Sequence, residues 1–598
     1  MAFERLGQLW RFAKYGLPLA RLRPESTRTI ADVIEEQAAA RGPHPFILFE
    51  DRRTSYDEFN RAANRVAHWG RAQGLGRGQR VVLLMQNRPE FLQIWGGLSK
   101  LGVTSALINT NLTGRALEHA LTTADAKHVI AGSECLAAYA ELGASAPWQL
   151  WVAGEPGASS SDRPSGAQDL DADLAARPSA NLPADVRAEC RTGDDLFYIY
   201  TSGTTGLPKA ARFSHLKFMT AGSAARLVGF EQDGVMYCSL PLYHSAGGAM
   251  AVGAALLSGG TLALRRRFSA REFWSDVRRT RATAFQYIGE FCRYLLNQPP
   301  DPQDGRHELR FCIGNGLRPD IWVEFRDRFR LPRIVEFYGA TEGNVSLLNL
   351  DDTVGSVGRI PSRLLMDARL VRYDVERDEH PRDARGHLIE CKPDEIGELI
   401  GALPRRAGDN RGRFEGYTSK EATERKILRD AFEPGDAFFR TGDLLRRDAR
   451  GYFYFVDRIG DTFRWKGENV STQEVAEALV HFPGVEMANV YGVAVPGADG
   501  RAGMVALVLG AKAEFDPRAF YAHAVTALPA YAMPVFVRLQ HEAELTGTFK
   551  LRKVELQHEG YDPAWVSEPL FVRDDGARSY VRLDAEAHRR VLSGELRL

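Results

Sequence analysis

Between residues 29 and 131 the hydrophobic pattern switches repeatedly between the period of a helix and that of a strand. The spacing predicts helices over 30–38, 54–70 and 90–101, the second of which opens at a Thr/Ser cap, and strands over 46–49 and 80–85. Strands that alternate with helices indicate a parallel sheet covered by helices on both faces. The pattern therefore predicts an α/β fold for this part of the chain.

Further along, residues 153–194 are rich in Gly, Ser, Pro and Asp and are predicted to form a loop. Phe285–Pro299 is an aromatic-rich passage from a strand to a helix. Near the end of the chain the pattern predicts a helix over 475–481 and strands over 490–495 and 502–509. This last combination is typical of a small α+β unit.

These changes of pattern predict three segments, residues 1–24, 25–457 and 458–598. The first is a candidate amphipathic helix, the second a large N-terminal domain of layered sheets and helices, and the third a small, mobile α+β domain. A hinge is predicted near Asp457–Asp461, where Gly460 can absorb a large change in backbone angles.

Apolar residues of the first segment recur at helical spacing and are interspersed with arginines and a lysine. Such a helix suits a membrane surface, but it suits equally the protein's own body or a second subunit. The uncharged run Ser245–Leu264 approaches the length of a membrane span, yet it consists mostly of Gly, Ala and Ser. We predict a buried helix that ends at Ser258-Gly259-Gly260, followed by a strand.

The composition of the 598 residues narrows the possible partners. Lys+Arg and Asp+Glu both number 77, so the net charge of zero gives no sign of a nucleic-acid-binding surface. The six cysteines are scattered without metal-ligand spacing and are predicted to be reduced packing residues of a cytoplasmic protein.

After a predicted buried strand over 195–200, the chain reads TSGTTGLPK from Thr201 to Lys209. Its glycines allow several backbone N–H groups to face one anion, its hydroxyls add donors, and Lys209 adds a positive charge. We predict a phosphate-binding loop, although the Gly-Lys-Ser/Thr ending of a Walker A loop is absent. A polar surface turn is the alternative.

A second candidate site is FYGATEG, residues 337–343, which follows a strand predicted over 334–337. Ligands of open α/β sheets bind where strands end. Tyr338 could stack on a purine, Thr341 could donate to a phosphate, and Glu342 could hold Mg²⁺, which prefers oxygen ligands. The alternative is a Tyr-Gly turn with a solvated glutamate.

Weaker signals come from the glycine turn 313–319, from Thr441-Gly442-Asp443 with Arg458, and from the basic segment 464–471. The carboxylate of Asp443 could accept hydrogen bonds from both hydroxyls of a ribose. Each of these segments is also compatible with an ordinary turn or an exposed loop.

The motifs together resemble those of the adenylate-forming superfamily, which includes acyl-CoA synthetases, luciferases and adenylation domains of peptide synthetases. TSGTTGLPK is similar to its phosphate loop, YGATE matches its YGxTE pattern, and LTGTFK, ending at Lys550, resembles its C-terminal lysine motif. Further matches resemble the fatty acid transport protein branch, the very-long-chain acyl-CoA synthetases. The resemblance covers the chain from about Thr29 to the last residue.

The resemblance also implies a role for each matching residue. It implies catalytic roles for Lys550, Glu342, Thr341 and Lys209, metal binding by Thr201 and Glu342, and contact with the acyl chain for His244, Tyr287 and Ile288. A hydrogen-bonded core histidine is the alternative for His244, and an ordinary core position is the alternative for Tyr287 and Ile288. The residues implied to bind the nucleotide or CoA are Tyr198, Thr201, Ser202, Gly203, Thr204, Thr205, Gly206, Lys209, Gly314, Asn315, Gly316, Tyr338, Gly339, Ala340, Thr341, Asp443, Arg458, Trp465, Lys466 and Gly467.

The implied activity is that of an ATP-dependent long- or very-long-chain fatty acyl-CoA ligase, which forms acyl-AMP and then acyl-CoA and uses Mg²⁺. In the family the small domain rotates between the two steps, so that Lys550 leaves and the loop 465–469 enters. Two alternatives stay open, a fatty acyl-AMP ligase that loads a carrier protein and a membrane-associated fatty acid uptake protein. The expected partners are a fatty acid and CoA, with no nucleic acid. Peripheral contact of residues 1–24 with the inner face of a membrane, and a homodimer, are left open.

Overall fold

The computed structural model describes residues 10–143, 147–155, 163–201, 207–360, 363, 366–375, 377–405, 412–466, 468–496, 498, 500–543 and 551–596. The chain divides into two compact units. The first unit consists of residues 1–354 and 403–427, and the second of residues 355–402 and 428–598. The predicted limits of the segments at residues 24 and 457 stay a prediction.

One sheet of the first unit contains the strand that precedes the predicted phosphate loop. Its strands are parallel, except for the last two, which form an antiparallel pair. In spatial order the strands are Gln168–Asp169, Gln149–Ala153, His128–Gly132, Arg80–Leu84, Thr104–Leu107, Asp195–Thr201 and Lys209–Ser214.

A second set of strands in the first unit is also mainly parallel, with an antiparallel strand at each end. In spatial order these strands are Ser346–Leu348, Ile334–Gly339, Phe311–Asn315, Ala284–Ile288, Val235–Cys238, Thr261–Leu264, Pro45–Phe49 and Arg52–Ser55. The mainly apolar strands Ala284–Ile288 and Thr261–Leu264 are buried at every position, as expected for strands covered on both faces.

The described helices of the first unit connect and cover these strands. The α-helices are Leu17–Arg21, Ile30–Arg41, Tyr56–Ala72, Pro89–Ser99, Gly114–Thr123, Leu136–Ala140, Leu170–Ala175, His215–Leu227, Val252–Ser258, Phe273–Arg279, Gly289–Leu296, Pro319–Arg328 and Lys420–Glu424. Phe12–Gly16 and Ser245–Ala251 are π-helical, and Ser133–Cys135 and Ala184–Arg187 are 3₁₀ turns.

The second unit contains a mainly antiparallel set of strands and a separate five-stranded sheet. The first set has the spatial order Ala368–Val371, Ile396–Ala402, Ala437–Arg447, Tyr452–Arg458 and Gly358–Arg359, and Ile427–Arg429 also pairs with Ala437–Arg447. The five-stranded sheet has the order Val485–Ala494, Arg501–Leu509, Phe536–Gln540, Leu570–Asp574 and Ser579–Arg582. The unit also contains the hairpin Phe463–Trp465/Glu468–Val470 and the helices Thr472–Val480, Pro517–Ala527, Val554–Glu559 and Ala585–Leu592.

Most of the predicted elements are present in the structure. The predicted Thr/Ser cap is Ser55, whose side chain accepts a hydrogen bond from the backbone N–H of Glu58 at 3.2 Å, and the helix begins at Tyr56. The uncharged run forms a buried helix that ends where Gly259 adopts a positive φ of 73°, and the strand Thr261–Leu264 follows. The α/β fold class predicted from the sequence is confirmed by these units.

The prediction of a loop over residues 153–194 is wrong in part. The described residues include the short strand Gln168–Asp169 and the helix Leu170–Ala175. Asp169 caps this helix by accepting a hydrogen bond from the backbone N–H of Ala172 at 3.0 Å, and Leu170 is buried. These elements are too short for a periodic pattern, so composition alone suggested a loop.

Near the N-terminus, the described helical residues pack on the helix His215–Leu227. The guanidinium of Arg226 lies 4.2 Å from the ring centroid of Tyr15. Among the described residues, no helix is both long enough and apolar enough to cross a membrane.

Candidate active site

The two ends of the predicted phosphate loop meet in the structure. Thr201 ends one strand, Lys209 begins the next, and the two residues are direct partners in the antiparallel ladder. Ser202, Gly203, Thr204, Thr205 and Gly206 lie outside the described residues. The strand pairing nevertheless places Thr201 and Lys209 side by side, one on the strand before the predicted loop and one on the strand after it.

Three neighbouring parallel strands carry, or lead into, several other predicted site residues of the first unit. The strands are Ala284–Ile288, Phe311–Asn315 and Ile334–Gly339. In the register of these strands Tyr287 pairs with Gly314, and Ile288 pairs with Asn315. The third strand leads directly into the loop that contains Thr341 and Glu342. Candidate acyl-binding and nucleotide-binding residues therefore lie at the same edge of the sheet, where ligands of parallel sheets bind.

Glycine is required at the turn that follows the middle strand. A Cβ atom on Gly314 would lie 2.3 Å from the carbonyl oxygen of Tyr287, and Gly316 adopts a positive φ of 83°. A Cβ atom on Gly289 would lie 1.6 Å from the carbonyl oxygen of Gly316. The backbone segments therefore approach one another too closely for side chains, which explains the glycines at these positions.

A buried carboxyl group, that of Glu336, holds this turn. It accepts hydrogen bonds from the backbone N–H groups of Gly316 and Leu317, the latter at 3.2 Å, and from the hydroxyl of Tyr287 at 2.5 Å. Burial raises the pKa of Glu336 to about 8, although the hydrogen bonds from Tyr287 and the turn act to lower it. Glu336 thus links two predicted ligand-binding segments.

The loop after the third strand contacts a second predicted substrate segment. The hydroxyl groups of Thr341 and Ser245 share a hydrogen bond of 3.1 Å. Ser245 follows His244, whose Nδ1 accepts a hydrogen bond from the backbone N–H of Ala246 at 3.3 Å. The sequence left open whether His244 lines the acyl pocket or is a hydrogen-bonded core residue; the structure shows that it caps a helix, and its contact with substrate stays a prediction.

The side chain of Glu342, predicted to bind magnesium, is half-buried beside Tyr417. The hydroxyl of Tyr417 donates a hydrogen bond to Oε1 of Glu342 at 2.6 Å. The ammonium of Lys217 donates to the carbonyl oxygen of Gly343, the next residue, at 3.0 Å. Burial lowers the pKa of Lys217, and the carboxylates of Glu415 and Glu342 partly oppose this effect.

The donor set at this loop fits a magnesium ion. Oε2 of Glu342 accepts no hydrogen bond from the described part of the chain. The carboxylate of Glu342 and the hydroxyl of Thr341 offer hard oxygen ligands, which magnesium prefers, and the ion is usually held by one or two carboxylates together with substrate phosphates. Thr201, the other predicted ligand, ends the strand before the phosphate loop.

In the second unit the predicted ribose ligands are neighbours. Asp443 and Arg458 are direct partners in an antiparallel ladder, with 3.5 Å between Oδ1 and Nε. The turn before Asp443 is held by the buried side chain of Glu398, whose Oε1 accepts a hydrogen bond from the N–H of Gly442 at 2.9 Å. Burial acts to raise the pKa of Glu398, but the hydrogen bond from His380 and the charge of Arg440 lower it below its usual value.

The predicted CoA loop forms the tip of a hairpin in the second unit. Trp465 is buried in the hydrophobic core of this unit, whereas Lys466 is exposed at the tip with a φ of 52°. The Lys466 ammonium lies 5.6 Å from the centroid of the Trp465 ring. Gly467 and Lys550 lie outside the described residues, so their roles stay predictions.

Four side chains that hold the predicted site segments were not predicted from the sequence, namely Lys217, Glu336, Glu398 and Tyr417. For two of them a signal was present, since Glu336 and Glu398 are single acidic residues in otherwise apolar strands. A buried carboxylate of this kind needs donors, which marks it as part of a network. Lys217 and Tyr417 carry no such signal because only the tertiary fold brings them to Glu342.

Two protein-family profiles match this chain. The profile of the AMP-binding enzyme family matches residues 34–393, and that of the AMP-binding enzyme C-terminal domain matches residues 474–550. Long-chain fatty acid transport protein 6 of Mus musculus is 38% identical over 99% of this chain and 95% of its own. Long-chain fatty acid transport protein 1 of Mus musculus is 43% identical over 91% of this chain and 84% of its own.

Among solved structures, a benzoate CoA ligase from Burkholderia xenovorans LB400 has the same fold, with a TM-score of 0.73 at 21% sequence identity. The likeness covers 89% of this chain and 100% of that one. The resemblance inferred from the motifs is therefore confirmed. The chain belongs to the AMP-binding enzyme family and, within it, to the branch of the long-chain fatty acid transport proteins.

Proposed function

We propose that this protein joins long- or very-long-chain fatty acids to CoA, with ATP as the energy source and AMP and pyrophosphate as products. Its membership in the AMP-binding enzyme family supports adenylate formation, and the names of its relatives support a long-chain fatty acid as the substrate. The observation that carries the proposal is the common sheet edge at which the Gly314–Gly316 turn and the loop of Thr341 and Glu342 follow adjacent strands.

In the first step a carboxylate oxygen of the fatty acid attacks the α-phosphorus of ATP, and the bond to pyrophosphate breaks. Both reactants are anions, so catalysis consists mainly of positioning and charge neutralisation. Lys209, the backbone of the phosphate loop and Lys550 supply positive charge and hydrogen-bond donors. Magnesium, held through Glu342 and Thr201, would neutralise charge on the phosphates.

In the second step the thiol sulfur of CoA attacks the acyl carbon, the bond to the AMP oxygen breaks, and the thiol proton is released. Asp443 and Arg458 keep the ribose in place during both steps. No side-chain nucleophile is needed, because the acyl phosphate anhydride is already activated.

The direct test measures AMP formation from ATP with a panel of carboxylic acids of increasing chain length, with and without CoA. We expect AMP release to depend on a long-chain acid and to be fast only with CoA. Acyl-AMP that accumulates in spite of free CoA would favour the alternative of a ligase that loads a carrier protein. If no acid supports the formation of either acyl-AMP or AMP, the proposal fails, and uptake without catalysis becomes the remaining alternative.

Lys550 gives a sharper test because it is assigned to only one of the two steps. Lys550→Ala is expected to lose most adenylation, about 100-fold, but to convert supplied acyl-AMP to acyl-CoA at nearly the wild-type rate. Lys512→Ala is the matched control, since Lys512 is an exposed lysine of the same unit. Equal loss of both half-reactions in Lys550→Ala contradicts the assignment.

We also propose that the N-terminal helical segment contacts a membrane surface. Trp10, Phe12 and Leu17 are 55%, 43% and 46% exposed, although the segment packs on the helix His215–Leu227. Exposed apolar residues beside Arg11 and Lys14 suit the interface of an anionic bilayer.

Co-flotation with vesicles that contain phosphatidylserine tests the contact. The double variant Trp10→Ala/Phe12→Ala should float less than the wild type, whereas Val323→Ala, a change at an exposed valine of the first unit, should float equally well. Equal flotation of all three proteins contradicts the proposal.

A further inference from the structure

Hydrogen bonds hold Tyr417 at its side-chain hydroxyl and at its backbone. Its hydroxyl donates to Oε1 of Glu342 at 2.6 Å, and its backbone N–H donates to Oγ1 of Thr423 at 3.0 Å. Only 9% of the residue is exposed. A tyrosine held in this way can present its hydroxyl in a single position.

The chain around Tyr417 is attached to the strand that follows the phosphate loop. The N–H of Arg212 donates to the carbonyl oxygen of Gly416, and the N–H of Thr418 donates to that of Ala210, both at 3.0 Å. Because this strand begins at Lys209, Tyr417 links the phosphate-loop strand to the carboxylate of Glu342.

A second set of hydrogen bonds holds the backbone of the loop that contains Glu342. Glu415 accepts hydrogen bonds from the N–H of Ser214, at 2.8 Å, and from its hydroxyl, and Ser214 caps the helix that carries Lys217. Lys217 in turn donates to the carbonyl oxygen of Gly343 at 3.0 Å. Two residues of the 415–417 segment therefore act, directly or through one helix, on the loop of Glu342.

We propose that Tyr417 is a positioning residue for metal capture, which fixes the Glu342 carboxylate through Oε1 so that Oε2 is available to a magnesium–nucleotide complex. The inference rests on the proposed function, since it assumes that Glu342 binds the cation. Partners that orient a metal-binding carboxylate typically change metal affinity by 10- to 100-fold when they are removed.

The experiment measures metal binding without turnover. Manganese(II) replaces magnesium and is followed by electron paramagnetic resonance, with α,β-methylene-ATP as the nucleotide. Tyr417→Phe should weaken nucleotide-dependent manganese binding about tenfold. Calorimetry should show that Tyr417→Phe binds the metal-free nucleotide as tightly as the wild type does. A general loss of structure at the site would weaken that binding as well.

Two further variants calibrate the result. Glu342→Gln should weaken manganese binding at least as much as Tyr417→Phe. Tyr56→Phe is the matched control, because it removes a buried hydroxyl that donates to the carbonyl oxygens of Ala255 and Gly260, at 3.1 and 2.7 Å, in the same unit. It should bind manganese as the wild type does.

The outcomes distinguish a failure of the role of Tyr417 from a failure of the proposed function. Wild-type manganese affinity in Tyr417→Phe, together with weakened binding in Glu342→Gln, overturns the role of Tyr417 and leaves the proposed function intact. Loss of metal-free nucleotide binding in Tyr417→Phe also overturns it, since the residue would then be structural. If the wild type shows no nucleotide-dependent manganese binding, the metal site of the proposed function fails, and the inference fails with it.

Discussion

Glu336 and Glu342 belong to one short segment, yet they have opposite surroundings. Glu336 lies within the strand Ile334–Gly339, is fully buried, and accepts three hydrogen bonds from Tyr287, Gly316 and Leu317. Glu342 lies in the loop that follows and is half-buried, and the described residues give it one hydrogen bond, from Tyr417.

The difference shows how one residue type serves two purposes at the edge of a sheet. A carboxyl group whose oxygens are all engaged joins backbone segments and has no capacity left for a ligand. A carboxylate with one oxygen engaged is oriented but still able to bind a cation. We therefore expect substitutions of Glu336 to act mainly on stability and substitutions of Glu342 to act mainly on the reaction.

The largest expected effect is that of Glu342→Ala on adenylation. Loss of the carboxylate should slow acid-dependent pyrophosphate–ATP exchange by about 100- to 1,000-fold and raise the magnesium concentration that the reaction requires. The free energy of unfolding should fall by only about 1 kcal/mol, because the hydroxyl of Tyr417 loses its acceptor. Glu324→Ala, a change at an exposed glutamate of the same unit, is the control. An unaltered magnesium titration would remove Glu342 from the metal site.

Glu336→Ala should destabilise the protein by about 3 kcal/mol, because buried donors of Tyr287, Gly316 and Leu317 would lose their acceptor. Urea unfolding of the full chain measures the change. A free energy of unfolding equal to that of the wild type would show that this carboxyl does not hold the turn.

Stability should also depend on pH through Glu336. Its pKa is about 8 in the folded protein and about 4.5 in the unfolded chain, so the unfolded state binds fewer protons between these values. The free energy of unfolding should fall as pH rises from about 4.5 to about 8, by less than about 1.4 kcal/mol per pH unit.

In Glu336→Gln the free energy of unfolding should lack this dependence on pH. Comparison of the pH profiles of wild type and variant therefore shows whether Glu336 is the titrating group. Tyr287, Cys292 and Cys312 face the same carboxyl, and burial raises the pKa of each well above its ordinary value, so they do not titrate in this window. Parallel profiles for wild type and variant would contradict the raised pKa.

The smallest effect is expected for Tyr287→Phe, which removes one of the three donors to Glu336 and should cost about 1 kcal/mol. A double-mutant cycle with Glu336→Ala, which removes the acceptor, isolates the contact, because coupled neighbours are not additive. Strict additivity would mean that the two side chains do not interact.

Local sequence patterns predicted the elements of the fold well where the pattern was long. The helix that begins after the Ser55 cap and the helix that ends at Gly259 both required only periodicity and a terminal signal. The short helix Leu170–Ala175 was missed because a single turn leaves no period to detect.

The motifs, by contrast, predicted the candidate site residues one by one, but not the side chains that hold those residues in place. Thr201 and Lys209 were predicted as ends of one loop, and their pairing across two strands agrees with that. Tyr417 was not predicted, because nothing in its neighbourhood in the sequence distinguishes it from a tyrosine of an ordinary turn.

The amino-acid sequence was enough to identify the family, the order of the elements and the residues that could carry chemistry, since these depend on local propensity and on motif spacing. Only the tertiary structure decided that Glu336 is a fully engaged structural carboxyl and that Glu342 is oriented by Tyr417. The physical reason is that burial and hydrogen-bond partners set the state of a carboxyl group. Here those partners come from strands and segments that are far apart in the chain.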